Sequence, residues 1–266
     1  MKLTMLGTGN ALVTECYNTC FLLEDHGQYL MVDGGGGNAV LHQIRHAGLD
    51  WMDIRHIFVT HKHVDHLLGI LWMVRMICQF MSSGEYKSDA FIYSHKEVLD
   101  LIRELAGKLL QKKVVAQIDR RLHLIEVTDG ESKTIIGNPV TFFDIRSTKA
   151  KQFGFCMGYD SGKLLTCCGD EPLNQDLESY AKNSDWLLHE AFCLHAQAEQ
   201  FHPYEKHHST VKDACELAQR LSVKNLLLYH TEDRNLENRA ALYRAEGCKY
   251  YSGNLWIPND LDSIEL

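Results

Sequence analysis

The sequence predicts an α/β protein of layered sheets flanked by helices, running as one unit, residues 1–266. Three observations predict it. Short β-type runs and helix-period segments are interspersed along the whole length. No linker, low-complexity run or composition shift divides the chain, and it shows no close internal repeat, so it reads as a single domain. Finally, Asp33, His61, Asp170, Glu190 and His230 each stand just after an expected strand, where α/β architectures place functional groups.

Taken in order, strands are expected at 2–6, 20–23, 29–32, 56–60, 91–94, 122–126, 140–145, 163–166, 186–189 and 225–229. Asp25-His26-Gly27 is a turn signal that makes a hairpin of the second and third. Helical periodicity falls at 39–47, 67–81, 96–110, 210–221 and 237–246. The apolar stretch 67–81 is broken by Arg75 and too short and polar to span a bilayer, so a buried helix is expected.

Bulk composition excludes some functions. A formal net charge of -8 argues against coating nucleic acid by bulk attraction, which needs a dense positive face. Lys108, Lys112, Lys113, Arg120 and Arg121 form the nearest basic cluster and read as a solvated helix face. Nine cysteines, an odd number without a CxxC pair, fit reduced thiols rather than a disulfide framework. With no long apolar stretch behind the N-terminal charge, a cytoplasmic protein without a disulfide or membrane partner is expected.

The chemistry concentrates in Thr60-His61-Lys62-His63-Val64-Asp65-His66, between an apolar strand and an apolar helix. Three imidazoles and a carboxylate are the donor mix that suits zinc or a similar first-row ion. In extended chain, residues two apart point the same way, so His61 and His63 can grip one ion. The turn into the helix can aim Asp65 and His66 at another. Neither Gly7-Thr8-Gly9-Asn10 nor the tetraglycine at 34–37 completes a dinucleotide or phosphate-loop fingerprint, although the latter allows close backbone approach.

His61-x-His63-x-Asp65-His66 resembles the signature of the metallo-β-lactamase superfamily, and the resemblance extends over nearly the whole chain. Within it the chain is most similar to the tRNase Z branch. Leu6-Gly7-Thr8-Gly9-Asn10, Val32-Asp33-Gly34, His189-Glu190-Ala191, His208-Ser209-Thr210 and Tyr229-His230 match that branch's motifs. The resemblance implies a four-layer αββα sandwich and two divalent ions, zinc first, with manganese or iron as alternatives. It assigns His61 and His63 to the first ion and Asp65, His66 and His230 to the second. Asp170 would bridge them and Asp33 would accept an imidazole N–H. It also implies a homodimer. For catalysis, Asp65 would take the proton of water while ligating, and His208 would protonate the leaving group with Glu190 on its other nitrogen.

Two departures qualify it. The superfamily's third histidine for the first ion falls near Thr148, where no histidine stands, which leaves weak occupancy of that site, a different metal or lost activity as the expected consequences. The long tRNA-gripping arm of the bacterial branch has no room, because Asp170 stands only fifteen positions after Phe155. The expected activity is therefore a metal-dependent phosphodiesterase acting on RNA 3′ ends, cyclic nucleotides or other small phosphodiesters. Hydrolysis of a lactone, thioester or sulfate on the same ions, and non-catalytic metal or nucleotide binding, are the alternatives. Cys168 is a minor candidate for a soft ligand.

Overall fold

The computed structural model describes residues 1–266, apart from the side chain of Ser161. The strands are β1 (Lys2–Gly7), β2 (Cys20–Asp25), β3 (Gln28–Val32), β4 (Ile54–Phe58), β5 (Ala90–Ser94), β6 (Leu122–Glu126), β7 (Ser132–Ile135), β8 (Asn138–Asp144), β9 (Phe153–Tyr159), β10 (Lys163–Cys167), β11 (Trp186–Glu190), β12 (Asn225–Tyr229), β13 (Asn254–Trp256) and β14 (Ser263–Glu265). They form two seven-stranded sheets, ordered β14-β1-β2-β3-β4-β5-β6 and β13-β12-β11-β10-β9-β8-β7. In each, a run of antiparallel strands gives way to a parallel one, at β3/β4 in the first sheet and at β10/β11 in the second. The halves thus share a topology without a close sequence repeat.

The helices are α1 (Ala39–His46), α2 (Val64–Ser83), α3 (Lys96–Leu109), α4 (Lys112–Val115), α5 (Ala198–Phe201), α6 (Val211–Arg220) and α7 (Arg239–Gly247). Three apolar cores separate four layers. Ile57, Ile92, Met73 and Ile77 fill the space between the first sheet and its helices. Phe21 and Phe58 meet Phe142 and Phe155 between the sheets, with the rings of Phe58 and Phe142 5.0 Å apart. Val211, Ala214 and Tyr243 join the second sheet to α6 and α7. Fully burying one such large apolar side chain is worth roughly 1.5–3 kcal/mol, and a strand buried on both faces, such as β11, feeds two of these cores. The expected αββα sandwich is the observed fold.

All ten expected strands and all five expected helices are present within a few residues of their ends. Two expectations need correction. Helix α2 begins at Val64, not at residue 67, so Asp65 and His66 belong to its first turn rather than to the turn before it. Its 20 residues also make it long and apolar enough to cross a membrane, against the argument from length. Its burial accounts for that composition: Leu67, Ile70, Met73, Val74, Ile77 and Cys78 pack into the first core.

A candidate dimetal centre at the sheet ends

The parallel strands β3, β4, β10, β11 and β12 all deliver polar residues at their C-terminal ends. Asp33 follows β3, His61 follows β4, Asp170 follows β10, Glu190 ends β11 and His230 follows β12. His63 is the extended residue before α2, with φ -62° and ψ 151°. It therefore points with His61, and their Nε2 and Nδ1 atoms converge to 2.8 Å. The first turn of α2 then presents Asp65 and His66. Two groups of donors result, His61 with His63 and Asp170, and Asp65 with His66 and His230, each with its ligand atoms within 4.8 Å of one another.

Asp170 lies between the groups. Its Oδ2 is 3.5 Å from His61 Nε2, 3.6 Å from His66 Nε2 and 3.7 Å from His230 Nε2. These distances are too long for hydrogen bonds and suit atoms that share a cation. Asp170 Oδ1 and His66 Nε2 are buried without a hydrogen-bond partner among the described residues, which a protein tolerates poorly unless a ligand completes the site. The donor set therefore fits a pair of divalent ions.

The surrounding shell fixes which nitrogens face inward. Thr60 Oγ1 donates its one proton to Asp33 Oδ2 at 2.7 Å. It must then accept from His61 Nδ1 at 2.9 Å, which leaves the His61 Nε2 lone pair for an ion. Asp33 Oδ2 likewise sits 2.7 Å from His66 Nδ1, the imidazole contact expected of it. Thr19 Oγ1 lies 3.3 Å from His230 Nδ1. The Tyr229 hydroxyl donates to the Gly169 carbonyl and so ties β12 to the loop that carries Asp170. Asp33 and His230 both hold φ +57°, a left-handed conformation costing about 1–3 kcal/mol, which the surrounding contacts must enforce.

Burial pushes the His61 and His63 rings down, although Asp170 opposes it. Burial also pushes His230 down, to about 3. Burial opposes the ionised form of Asp65, yet the charge of His66, whose Nε2 is 3.3 Å from Asp65 Oδ2, holds its carboxyl below the usual range. Burial likewise works against Asp170, and the His61, His66 and His230 rings hold it well below that range. His66 alone rises: Asp65 and Asp33 outweigh its burial and raise it well above an ordinary histidine. An entering cation must displace that proton.

His208 precedes α6 and lines a cleft of about 320 Å³ shared with His63, Asp65, Asp170 and His230. Its ring stacks on Phe192, with centroids 4.9 Å apart and planes 16° apart. Glu190 is fully buried and faces it, with Oε2 3.6 Å from His208 Nδ1, an ion-pair distance. The other Glu190 oxygen accepts from the Ser209 backbone N–H. Thr210 caps α6 reciprocally with Asp213, so the segment's place is set by the helix start.

Every expected site residue thus reaches one place. Cys168 does not: it is buried in the outer core beside the second sheet, and burial pushes its thiol well up. No histidine lies at 146–152; the cleft there is lined by Lys149. Thr60, Thr19, Tyr229 and Lys149 were missed by sequence reasoning. Only Thr60, adjacent to His61, carried a signal. The β9–β10 connection is the turn Asp160–Gly162, with no arm.

The ribonuclease Z of Ligilactobacillus salivarius is 26% identical in a 317-residue alignment that covers 100% of this chain and 97% of that one. The alignment is longer than this chain, so that relative carries segments absent here. The metallo-β-lactamase fold protein YhfI of Bacillus subtilis matches with a TM-score of 0.78 at 18% identity, covering 100% of this chain and 99% of its own. The short form of human tRNase Z matches with a TM-score of 0.73 at 21% identity, covering 100% and 99%. Structural similarity at these identities establishes the metallo-β-lactamase fold, and the sequence relatives place the chain in the tRNase Z-like branch. A family model described as anti-Pycsar protein Apyc1 matches residues 1–248, and it is to this family that the chain belongs.

Proposed function

We propose that the protein hydrolyses a small phosphodiester, a cyclic nucleotide or an RNA 3′ end, with two divalent ions, zinc first. His61, His63 and Asp170 would hold one ion, and Asp65, His66, Asp170 and His230 the other. The position of Asp170 Oδ2, 3.5–3.7 Å from three imidazole nitrogens of both groups, carries this reading. The short Asp160–Gly162 turn favours a small substrate over a whole tRNA, for which an arm would be useful.

Bound ions would lower the pKa of water toward about 7 and neutralise charge on phosphoryl oxygens. Asp65 Oδ accepts the proton of the attacking water. Its depressed pKa keeps it ionised for that task at neutral pH. His208 gives a proton to the leaving alkoxide, Phe192 fixes the plane of its ring, and Glu190 Oε2 faces its Nδ1 at 3.6 Å. The free state of all nine cysteines supports a cytoplasmic protein, and the similarity to tRNase Z supports a homodimer.

The test is metal per chain by elemental analysis after chelator-free purification, with turnover of bis(p-nitrophenyl) phosphate. Metal-dependent turnover is expected, and Asp65→Asn should lower kcat by about 10²–10⁴. A metal-loaded wild type that does not turn over this diester, or an Asp65→Asn variant as active as wild type, overturns the proposal.

A further inference from the structure

Where the superfamily histidine is missing, the chain places a cation instead. Lys149 lines the same cleft as His63, Asp65 and Asp170. Its loop is built rather than loose. The Ser147 hydroxyl accepts the Lys149 N–H at 3.1 Å and the Ala150 N–H at 3.3 Å while donating to Glu171 Oε1 at 2.7 Å. Lys149 Nζ in turn lies 3.3 Å from Glu171 Oε1, on a residue next to Asp170, and donates to the Lys206 carbonyl at 2.9 Å. Its side chain is only 25% exposed, so the ammonium is held at the rim rather than swung into solvent. Lys206 lines the cleft too, its ammonium 4.9 Å from the centre of the Phe192 ring on which His208 stacks. In a chain of net charge -8, two lysines line the cleft that also holds Asp65 and Asp170.

We infer that Lys149, supported by Lys206, binds the phosphoryl oxygens of the substrate, replacing the lost metal ligand by a direct anion contact. The inference rests on the phosphodiesterase reading. Loss of a histidine leaves the first ion with three protein donors, His61, His63 and Asp170. A three-donor site keeps open positions for water and substrate. A lysine beside it is a compact, strongly hydrated charge with three rotatable donors, suited to a phosphate as a point charge. Glu171 is the opposing charge. It orients the ammonium without saturating it, because only one of the three Nζ protons faces Glu171 and one faces the Lys206 carbonyl.

The metal-loaded wild type is compared with Lys149→Gln and Lys149→Arg, using inorganic phosphate in calorimetry, bis(p-nitrophenyl) phosphate for kinetics, and metal per chain. In Lys149→Gln, phosphate should bind about ten- to a hundredfold more weakly, the worth of one charge-assisted hydrogen bond. KM should rise on the same scale, with the larger part of the kinetic effect in KM and metal content unchanged. Lys149→Arg should recover most of the binding. Unchanged phosphate affinity in folded Lys149→Gln overturns the inference and leaves the phosphodiesterase reading intact. Loss of bound metal in that variant overturns it as well, by making Lys149 a metal-site residue. A wild type that neither binds phosphate nor turns over the diester overturns both.

Discussion

At the scale of residues, the site depends on side chains that touch no ion. The Thr60 hydroxyl decides the tautomer of His61, because its only proton is committed to Asp33. Thr60→Val keeps the shape and removes that acceptor. We expect it to lower metal affinity about 10–100-fold, the usual effect of removing a group that orients a ligand, with the circular dichroism spectrum unchanged. A chelator-competition titration that matches wild type would refute this. The donors themselves were readable because their chemistry is local: imidazoles and a carboxylate crowded between a strand and a helix have few other uses. Thr19 and Tyr229 were not readable, since a hydroxyl acquires meaning only through the partner that folding brings to it.

At the scale of elements, the loop after β3 lies directly on the first turns of α2. Gly34 N–H donates to the His66 carbonyl and Gly69 N–H to the Gly35 carbonyl, both at 2.9 Å. A Cβ on Gly69 would overlap the Gly34 carbonyl, so the backbones meet with no room for a side chain. Gly69→Ala should therefore cost about 1–3 kcal/mol in urea unfolding and displace the turn that bears Asp65 and His66. Gly37→Ala, which meets open space, should leave stability and metal binding near wild type. Equal midpoints for the two variants would sink this account. The tetraglycine announced close approach, but not which helix it would meet. The expected strands were those with apolar alternation or apolar runs, such as Leu226, Leu227 and Leu228 in β12. Four strands escaped for want of that signal. β9 carries Gly154 and Gly158 within its run, β7 is mostly exposed and polar, and β13 and β14 are three residues each.

At the scale of the whole molecule, burying so many titratable groups at one seam makes the metal-free fold sensitive to pH. His61, His63 and His230 have folded pKa values below the ordinary 6.5, that of His230 about 3. The unfolded chain takes up their protons first, so stability falls as pH drops from about 6.5 toward 3. Asp65 and Asp170, depressed below 3.8, add stability above that value that is lost as pH falls through their folded pKa values. His66 is raised, so its contribution is complete below 6.5 and fades only above, outside the acid window. The thermal midpoint of chelator-treated protein should thus fall between pH 6.5 and 4, and less steeply in His230→Gln. A flat wild-type profile, or a steeper one in the variant, would contradict the assignment.

The split of donors between the two sheets has a mechanical consequence. His61, His63, Asp65 and His66 come from the first half of the chain, Asp170 and His230 from the second, and neither half completes a socket. An ion seated there would act as a reversible cross-link across roughly a hundred residues of chain. In the chain-entropy treatment of such closures, a covalent tie of that span is worth about 4.7 kcal/mol. Chelation would then slacken the sandwich as a whole, with the chemistry lost as one symptom of the loosening.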